Sequence, residues 1–196
     1  EKRKKVYLDS MAVFDGDRLD SYLPGDKITD YLILTEKLTQ GSYSFKYIRE
    51  IIEGVQGEES TVSMDFEKVS HKLGYSYENN KLTLIANVKI KSHIVKFVEP
   101  PRNMKEEYLP EIQQAAADAM EKSLYETVKY TQDKDIIDAF EFGRVIQMKD
   151  PGLWDELKEN WDEHYKDAKI SISCDFDIEF AGMIKEQEPA RDNKNK

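Results

Sequence analysis

The chain has 196 residues, 35% of them charged, and a formal net charge of -10. That length can bury a sizeable core without disulfides or metals, and the single cysteine cannot form an intramolecular disulfide. The acidic balance argues against a nucleic-acid partner, because phosphate binding needs a basic surface. No apolar run approaches the roughly 20 residues that a membrane-spanning helix requires.

The first part of the chain predicts a β-hairpin followed by a helix. Apolar runs at 6–14 and 18–23 flank Asp15-Gly16-Asp17, and Asp-Gly between apolar runs is a strong hairpin signal. Asp26 is then a candidate N-cap for a helix over residues 26–38, whose apolar side chains fall on one face.

The middle of the chain predicts extended strands. Aromatic residues alternate over 43–47, although the spacing becomes helical after residue 48. Apolar residues alternate again over 61–69 and slip near Lys68, which predicts a β-bulge. A turn at Asn79-Asn80 leads into the clearest strand, 82–90, whose polar face is typical of an antiparallel sheet.

The last part of the chain predicts three helices and a closing strand. Apolar stripes at helical spacing predict helices over 110–131, 135–148 and 151–165. Strict alternation over 170–180 predicts the final strand.

Together these elements predict one α+β domain over residues 6–185. We expect an antiparallel β-sheet with about three to four helices packed mainly on one face. Residues 1–5 are expected to be a linker or remnant; their basic cluster could meet an anionic membrane surface or simply be solvated. Residues 186–196 form a polar tail that is predicted to be disordered.

The cysteine, histidine and carboxylate residues form no pattern typical of a catalytic, cofactor-binding or metal-binding site. The sequence therefore predicts no such residue and no cofactor. Cys174 lies on the apolar face of the final strand, which favours a buried, inert thiol. Asp162 and Glu163 could form a carboxylate pair in a cleft, but a solvated helix face is the simpler interpretation. The histidines show no metal-ligand spacing: His71, His93 and His164.

Four aromatic residues are predicted to form structural core: Phe14, Phe140, Trp154 and Trp161. Trp154 and Trp161 are seven residues apart, so on one helix they would share a face. The aromatic residues of the second half could instead line a ligand pocket or meet a partner protein.

Several short motifs, taken in order, resemble one protein family. Residues 11–19 are similar to an Ala-Val-Phe-x-x-x-Lys-Leu hairpin, with Arg18 replacing the lysine, and residues 135–143 resemble an Asp-Ile-x-x-Phe-Gly helix. Pro-x-x-Trp at 151–154, Trp-Asp-Glu at 161–163, the closing strand and Gly182 follow. The pattern resembles the C-terminal domain of the Ger(x)C family, the C subunits of spore germinant receptors, although Phe180-Ala181 replaces that family's basic pair.

The resemblance implies a non-enzymatic lipoprotein domain. It would make protein–protein contacts required for nutrient-triggered germination, together with membrane-embedded A and B subunits. A lipidated cysteine upstream of Glu1, rather than Cys174, would hold it on the outer face of the spore inner membrane. Two alternatives remain: a small-molecule domain that binds the germinant directly, and an enzyme acting on the spore wall.

Overall fold

A computed structural model describes residues 9–38, 40–49, 58–98 and 108–179. The expected leading linker with its basic cluster, the segment after residue 49, the motif glycine Gly182 and the expected polar tail lie outside these ranges.

The described part of the chain begins with the predicted hairpin, formed by β1 (Ser10–Asp15) and β2 (Arg18–Pro24). Gly16 makes the turn with a φ of +61°, a conformation that glycine adopts at little cost. A bulge interrupts the pairing between Val13 and Phe14.

Helix α1 (Ile28–Leu34) follows a 3₁₀ turn over Gly25–Lys27. The predicted N-cap Asp26 lies inside that turn, and no side chain caps α1, so that prediction is wrong. The helix also ends earlier than predicted, because Glu36 has a left-handed backbone with a φ of +53°.

Within the described ranges, the main sheet has the order β3 (Gly41–Arg49), β4 (Glu58–Glu78), β5 (Lys81–Val98) and β6 (Lys169–Glu179). The pairs β3–β4 and β4–β5 are antiparallel, whereas β5–β6 is parallel. The α+β class is confirmed, but the sheet is mixed rather than wholly antiparallel. A parallel neighbour needs a long crossover, and the helices between β5 and β6 lie within that crossover.

The long β4–β5 hairpin contains both local features predicted from its sequence. Its register shifts between Phe66 and Lys68, which confirms the bulge. Asn79 and Asn80 both have positive φ, +51° and +58°, the backbone that a two-residue hairpin turn requires.

Four helices lie between β5 and β6 in the described part of the chain: α2 (Leu109–Asp133), α3 (Phe142–Lys149), α4 (Pro151–Leu157) and α5 (Trp161–Asp167). The helix predicted over 135–148 is wrong in its first half, because Asp135 and Glu141 have positive φ. The helix predicted over 151–165 is divided by a 3₁₀ turn at Lys158–Asn160.

The helices cover one face of the sheet, where the main core lies. Leu84, Val88 and Ile90 of β5 are at most 1% exposed, and Met120 and Leu124 of α2 are fully buried against the same core. Burying a side chain of this size contributes about 1.5–3 kcal/mol. The hairpin is docked through a separate small core built on Val13, Leu23 and Ile136.

The opposite face of the sheet is polar. Side-chain hydrogen bonds cross it from strand to strand, including Ser44 to Ser63 at 2.8 Å and Ser173 to Asn87 Oδ1 at 2.7 Å. None of the helices in the described ranges is both long enough and apolar enough to cross a membrane.

Candidate functional site

Four residues from the motifs of the helical segment pack together with Tyr165. This set is here called the tryptophan cluster and consists of Asp138, Gly143, Trp154, Trp161 and Tyr165. The two indole rings meet edge to face, with centroids 5.4 Å apart. A Cβ atom on Gly143 would lie 2.8 Å from Cε2 of Trp161 and 3.1 Å from Cη2 of Trp154. Real Cβ atoms essentially never approach other atoms within 3.0 Å, so the cluster requires glycine here.

Asp138 joins the cluster to the start of α3. Its Oδ2 accepts a hydrogen bond from the backbone N–H of Gly143 at 2.7 Å, whereas its Oδ1 is buried without a hydrogen-bond partner. Burial raises the pKa of Asp138 to about 6, and nearby N–H groups, first that of Gly143, oppose the shift. The carboxyl group is therefore a buried acid whose charge depends on pH near neutrality.

Buried polar side chains connect the cluster to α2 and to the start of β6. The Tyr165 hydroxyl lies 2.7 Å from Thr131 Oγ1, and burial raises the pKa of Tyr165. The side-chain amide of Gln132 donates to the carbonyls of Tyr165 at 2.6 Å and Ala168 at 3.0 Å. These bonds fix the end of α5 against the end of α2.

A second buried carboxyl group joins α1 to α2. Asp30 is 4% exposed, and its Oδ2 accepts from the hydroxyl groups of Ser123 at 2.8 Å and Thr127 at 2.6 Å. Burial raises the pKa of Asp30, and the two hydroxyl bonds oppose that rise. This carboxyl group is used in packing between helices.

The predicted core residues divide into three groups. Phe140 is 1% exposed. Trp154 and Trp161 are partly buried against the main core, and they lie on α4 and α5 rather than on one helix. Phe14 is 55% exposed, so its predicted core position is wrong. The hairpin docks through Val13, and the alternation of a strand sends Phe14 to the opposite face.

The residues considered for catalysis or metal binding remain apart. His71 lies 3.3 Å from Glu36, and His93 lies 3.2 Å from Glu67. Across the described residues, no group of three or more His, Cys, Asp and Glu side chains is placed to hold a metal ion. Burial, and to a lesser extent Glu121, raises the pKa of the Cys174 thiol to about 12, so this thiol is not an activated nucleophile.

Asp162 and Glu163 line a depression of about 290 Å³ between the hairpin and α5, together with Asp20 and Asp135. All four side chains are exposed, and Asp135 forms a salt bridge with Lys166. A catalytic carboxylate pair instead places one member in apolar surroundings. The depression is acidic surface rather than an acid–base site.

The comparisons with known proteins agree with this arrangement. The family model described as "Spore germination B3/ GerAC like, C-terminal" matches residues 9–182. The chain belongs to this family. This match confirms the resemblance drawn from the motifs and connects the chain with spore germination.

A solved structure shows the same fold. The crystal structure of the GerBC protein superposes with a TM-score of 0.64 at 17% sequence identity and covers 83% of this chain. The match covers 48% of the GerBC chain, so this chain spans about half of that protein's length. Among curated proteins, the sequence has no match.

The structure corrects the alignment of one motif. Asp135 is exposed and lies outside the tryptophan cluster, whereas Asp138 binds Gly143. An alignment of the motif Asp-Ile-x-x-Phe-Gly that starts at Asp135 needs three extra residues before Gly143. The sequence Asp138-Ala-Phe-Glu-Phe-Gly143 has the spacing of the motif without any extra residue. In the motif the glycine lies five positions after the aspartate, and this offset was the signal that could have identified Asp138 and Gly143 as the pair.

Proposed function

We propose that this chain is the C-terminal domain of a non-enzymatic C subunit of a spore germinant receptor, and that it makes protein–protein contacts required for nutrient-triggered germination. The observation that carries the proposal is the family match across residues 9–182. The motif residues Asp138, Gly143, Trp154 and Trp161 supply packing rather than chemistry.

The tryptophan cluster supports a scaffold role for the family motifs. Gly143 allows close packing of the two indoles, and Asp138 holds the N–H of that glycine. A motif that fixes internal packing leaves function to the surface. The exposed faces that this scaffold positions are therefore the candidates for contact with a partner.

The proposed location follows from the family. A lipidated cysteine upstream of Glu1 would anchor the protein to the outer face of the spore inner membrane, where membrane-embedded A and B subunits would be its partners. Stable anchoring by lipid takes two acyl or prenyl chains, or one chain with a second membrane signal. Labelling of the full-length protein with a fatty-acid analogue tests this anchor, and an unlabelled protein would contradict it.

Germination assays test the proposed role. In a strain whose other germinant receptors are deleted, loss of this gene should abolish the response to nutrients, and the full-length protein should restore it. A trigger that bypasses nutrient receptors should still work in the deleted strain, which controls for spore viability. A normal nutrient response in that strain would contradict the proposal.

Direct binding of a germinant is the second candidate, and one depression favours it. This depression, of about 430 Å³, lies between β4 and the α3–α4 junction, where Tyr75, Tyr77, Lys149 and Asp150 line it. A cation beside an anion could match a zwitterionic amino acid. The depression is open to solvent, however, whereas small-molecule sites bury most of the ligand.

Titration distinguishes the two candidates. Amino acids and nucleosides are added at millimolar concentration to the full-length protein, and chemical shifts near Tyr75 and Lys149 are recorded. Localised shifts that disappear in a Lys149→Ala variant would support a direct sensor. Unchanged spectra would leave protein contacts as the role.

A further inference from the structure

We propose that the outer face of the hairpin is a docking surface for a protein partner whose contact surface has an apolar centre and a lysine- or arginine-rich rim. This outer hairpin face consists of Ala12, Phe14, Leu19 and Tyr22. The inference deepens the proposed function, on which it rests, because it assigns the contact with the receptor to one face of one element.

The outer hairpin face is a contiguous apolar patch. Phe14 pairs directly with Leu19 across the ladder, and Ala12 pairs with Tyr22. Phe14, Leu19 and Tyr22 are 55%, 42% and 56% exposed. Directly opposite residues on one face of a sheet lie about 4.5–5.5 Å apart between Cβ atoms. The two pairs are neighbours, because Ala12 and Phe14 are two residues apart on β1 and so lie on the same face of that strand.

Packing inside the domain does not require this patch to be apolar. The inner face of the hairpin already buries Val13 and Leu23, which are 5% and 1% exposed. A hairpin docked on one side ordinarily has a polar outer side. Exposed aromatic side chains at the centre of a patch are instead typical of protein interfaces.

The charges around the patch identify the kind of partner. Asp15, Asp17 and Asp20 are exposed at its edge, where Arg18 is the accompanying cation. The neighbouring depression adds the exposed carboxylates of Asp162 and Glu163, whereas its lysine, Lys166, is paired with Asp135. An acidic rim is complementary to a basic one. It would repel an anionic lipid surface, and a symmetric contact with a second copy would place aspartate against aspartate.

The other exposed apolar side chains do not form such a patch. In the described part of the chain, Tyr125 and Met148 are exposed on α2 and α3, and Ile48 and Val98 are exposed near the ends of β3 and β5. The strand residues lie opposite Glu59 and Thr61 rather than opposite another apolar side chain, and single exposed apolar residues are normal for surfaces. Met148 is 74% exposed, more than Phe14, Leu19 or Tyr22, and so provides a matched control position.

Site-specific photo-cross-linking in spores tests the proposal. A photoreactive amino acid replaces Phe14 in the full-length protein, and in separate strains Met148, Tyr125 or Lys72. We expect position 14 to capture a membrane-embedded receptor subunit through a peptide with lysine or arginine around an apolar residue. Position 148 should not capture that peptide.

Charge and shape variants test the chemistry of the contact. The double variant Asp17→Lys, Asp20→Lys should lower capture at position 14 about tenfold, as expected if reversing two rim charges removes about one order of magnitude in affinity. Tyr22→Ser should weaken binding about thirtyfold if Tyr22 is an interface hot spot. Both variants should keep the wild-type melting temperature and abundance, because the altered side chains are exposed.

Three results would overturn the docking surface. The first is capture of phospholipid or of a second copy of this chain at position 14. The second is capture at position 14 that the charge reversal does not change. The third is absence of capture at position 14 while position 72, 125 or 148 captures a receptor subunit. In the last result the proposed function stands and only the assigned face is wrong. Absence of receptor capture from every position would overturn both.

Discussion

At the scale of single residues, the tryptophan cluster depends on Gly143, which has no side chain. Gly143 lies within α3, where alanine would otherwise favour the helix by about 1 kcal/mol. The two indoles occupy the space that a Cβ atom needs, and overpacking typically costs about 1–3 kcal/mol. The steric term should therefore prevail over helix propensity.

We predict that Gly143→Ala lowers the free energy of unfolding by up to about 2 kcal/mol, which is the overpacking cost of about 1–3 kcal/mol less the helix gain of about 1 kcal/mol. Urea denaturation of the purified protein measures it. Gly74→Ala is the matched control, because the nearest atom to its new Cβ would be Cβ of Ile85 at 3.9 Å. A variant more stable than the wild type by about 1 kcal/mol, the helix gain alone, would show that the indoles can move apart without cost.

Asp138 makes stability depend on pH at the same scale. Its pKa is raised from 3.8 to about 6 in the folded protein, so the folded state binds a proton that the unfolded chain has already released. The stabilisation from this proton is fully present below about pH 4 and is lost as pH rises through about 6. A shift of this size corresponds to about 3 kcal/mol.

We predict that Asp138→Asn removes this dependence. Unfolding free energies at pH 4 and pH 7.5 should change less in the variant than in the wild type, by up to about 3 kcal/mol. Asp135→Asn is the control, because Asp135 is exposed. A pH profile that is identical in wild type and Asp138→Asn would mean that this carboxyl group does not titrate in this range.

At the scale of elements, the strands were largely predictable, because a period of two is visible in the sequence. The Asp15-Gly16 turn, the bulge near Lys68 and the Asn79-Asn80 turn all carry local signals. The parallel direction of β6 carries none, since parallel and antiparallel strands share the same alternation.

The helices after α2 were less predictable. Asp135 and Glu141 adopt left-handed backbone conformations, although no glycine or proline at these positions predicts a break in the helix. Between them, Ile136 turns into the small core under the hairpin. A long-range contact thus replaces the helix that local spacing favoured, as tertiary packing often does.

Gln132 joins α2, α5 and β6, and we predict that Gln132→Ala is strongly destabilising. The residue is 2% exposed, and its loss leaves the buried carbonyls of Tyr165 and Ala168 without this donor. The Tyr165 carbonyl still accepts from the N–H of Ala168 at 3.3 Å. The count therefore rests on the Ala168 carbonyl, and the variant should lose about 1–3 kcal/mol.

Thermal unfolding checks this expectation. Gln114→Ala provides the control on the same helix, since Gln114 donates to Asp118 in an exposed pair, and we expect a change within about 0.5 kcal/mol. Similar losses in both variants would show that the buried bonds of Gln132 contribute nothing beyond those of a surface glutamine.

At the scale of the whole molecule, the described residues present two unlike exposed surfaces, which are the polar face of the sheet and the apolar outer hairpin face. The helical layer covers one face of the sheet, the polar strand face lies opposite, and the hairpin stands on its own small core. The sequence motifs predicted the fold and the family, but not which aromatic residues face outward. Phe14 has the same apolar character as Phe140, but Phe140 packs in the main core, whereas the hairpin docks through its other face and leaves Phe14 exposed.

We propose that this domain belongs to a receptor assembly and acts through protein contacts. Chemical cross-linking of the native full-length protein in spore inner membranes, followed by mass spectrometry, tests it most directly. We predict cross-links from the described residues to membrane-embedded receptor subunits, with the hairpin among the linked segments. Cross-links confined to the protein itself or to soluble proteins would contradict the account and favour a direct germinant sensor.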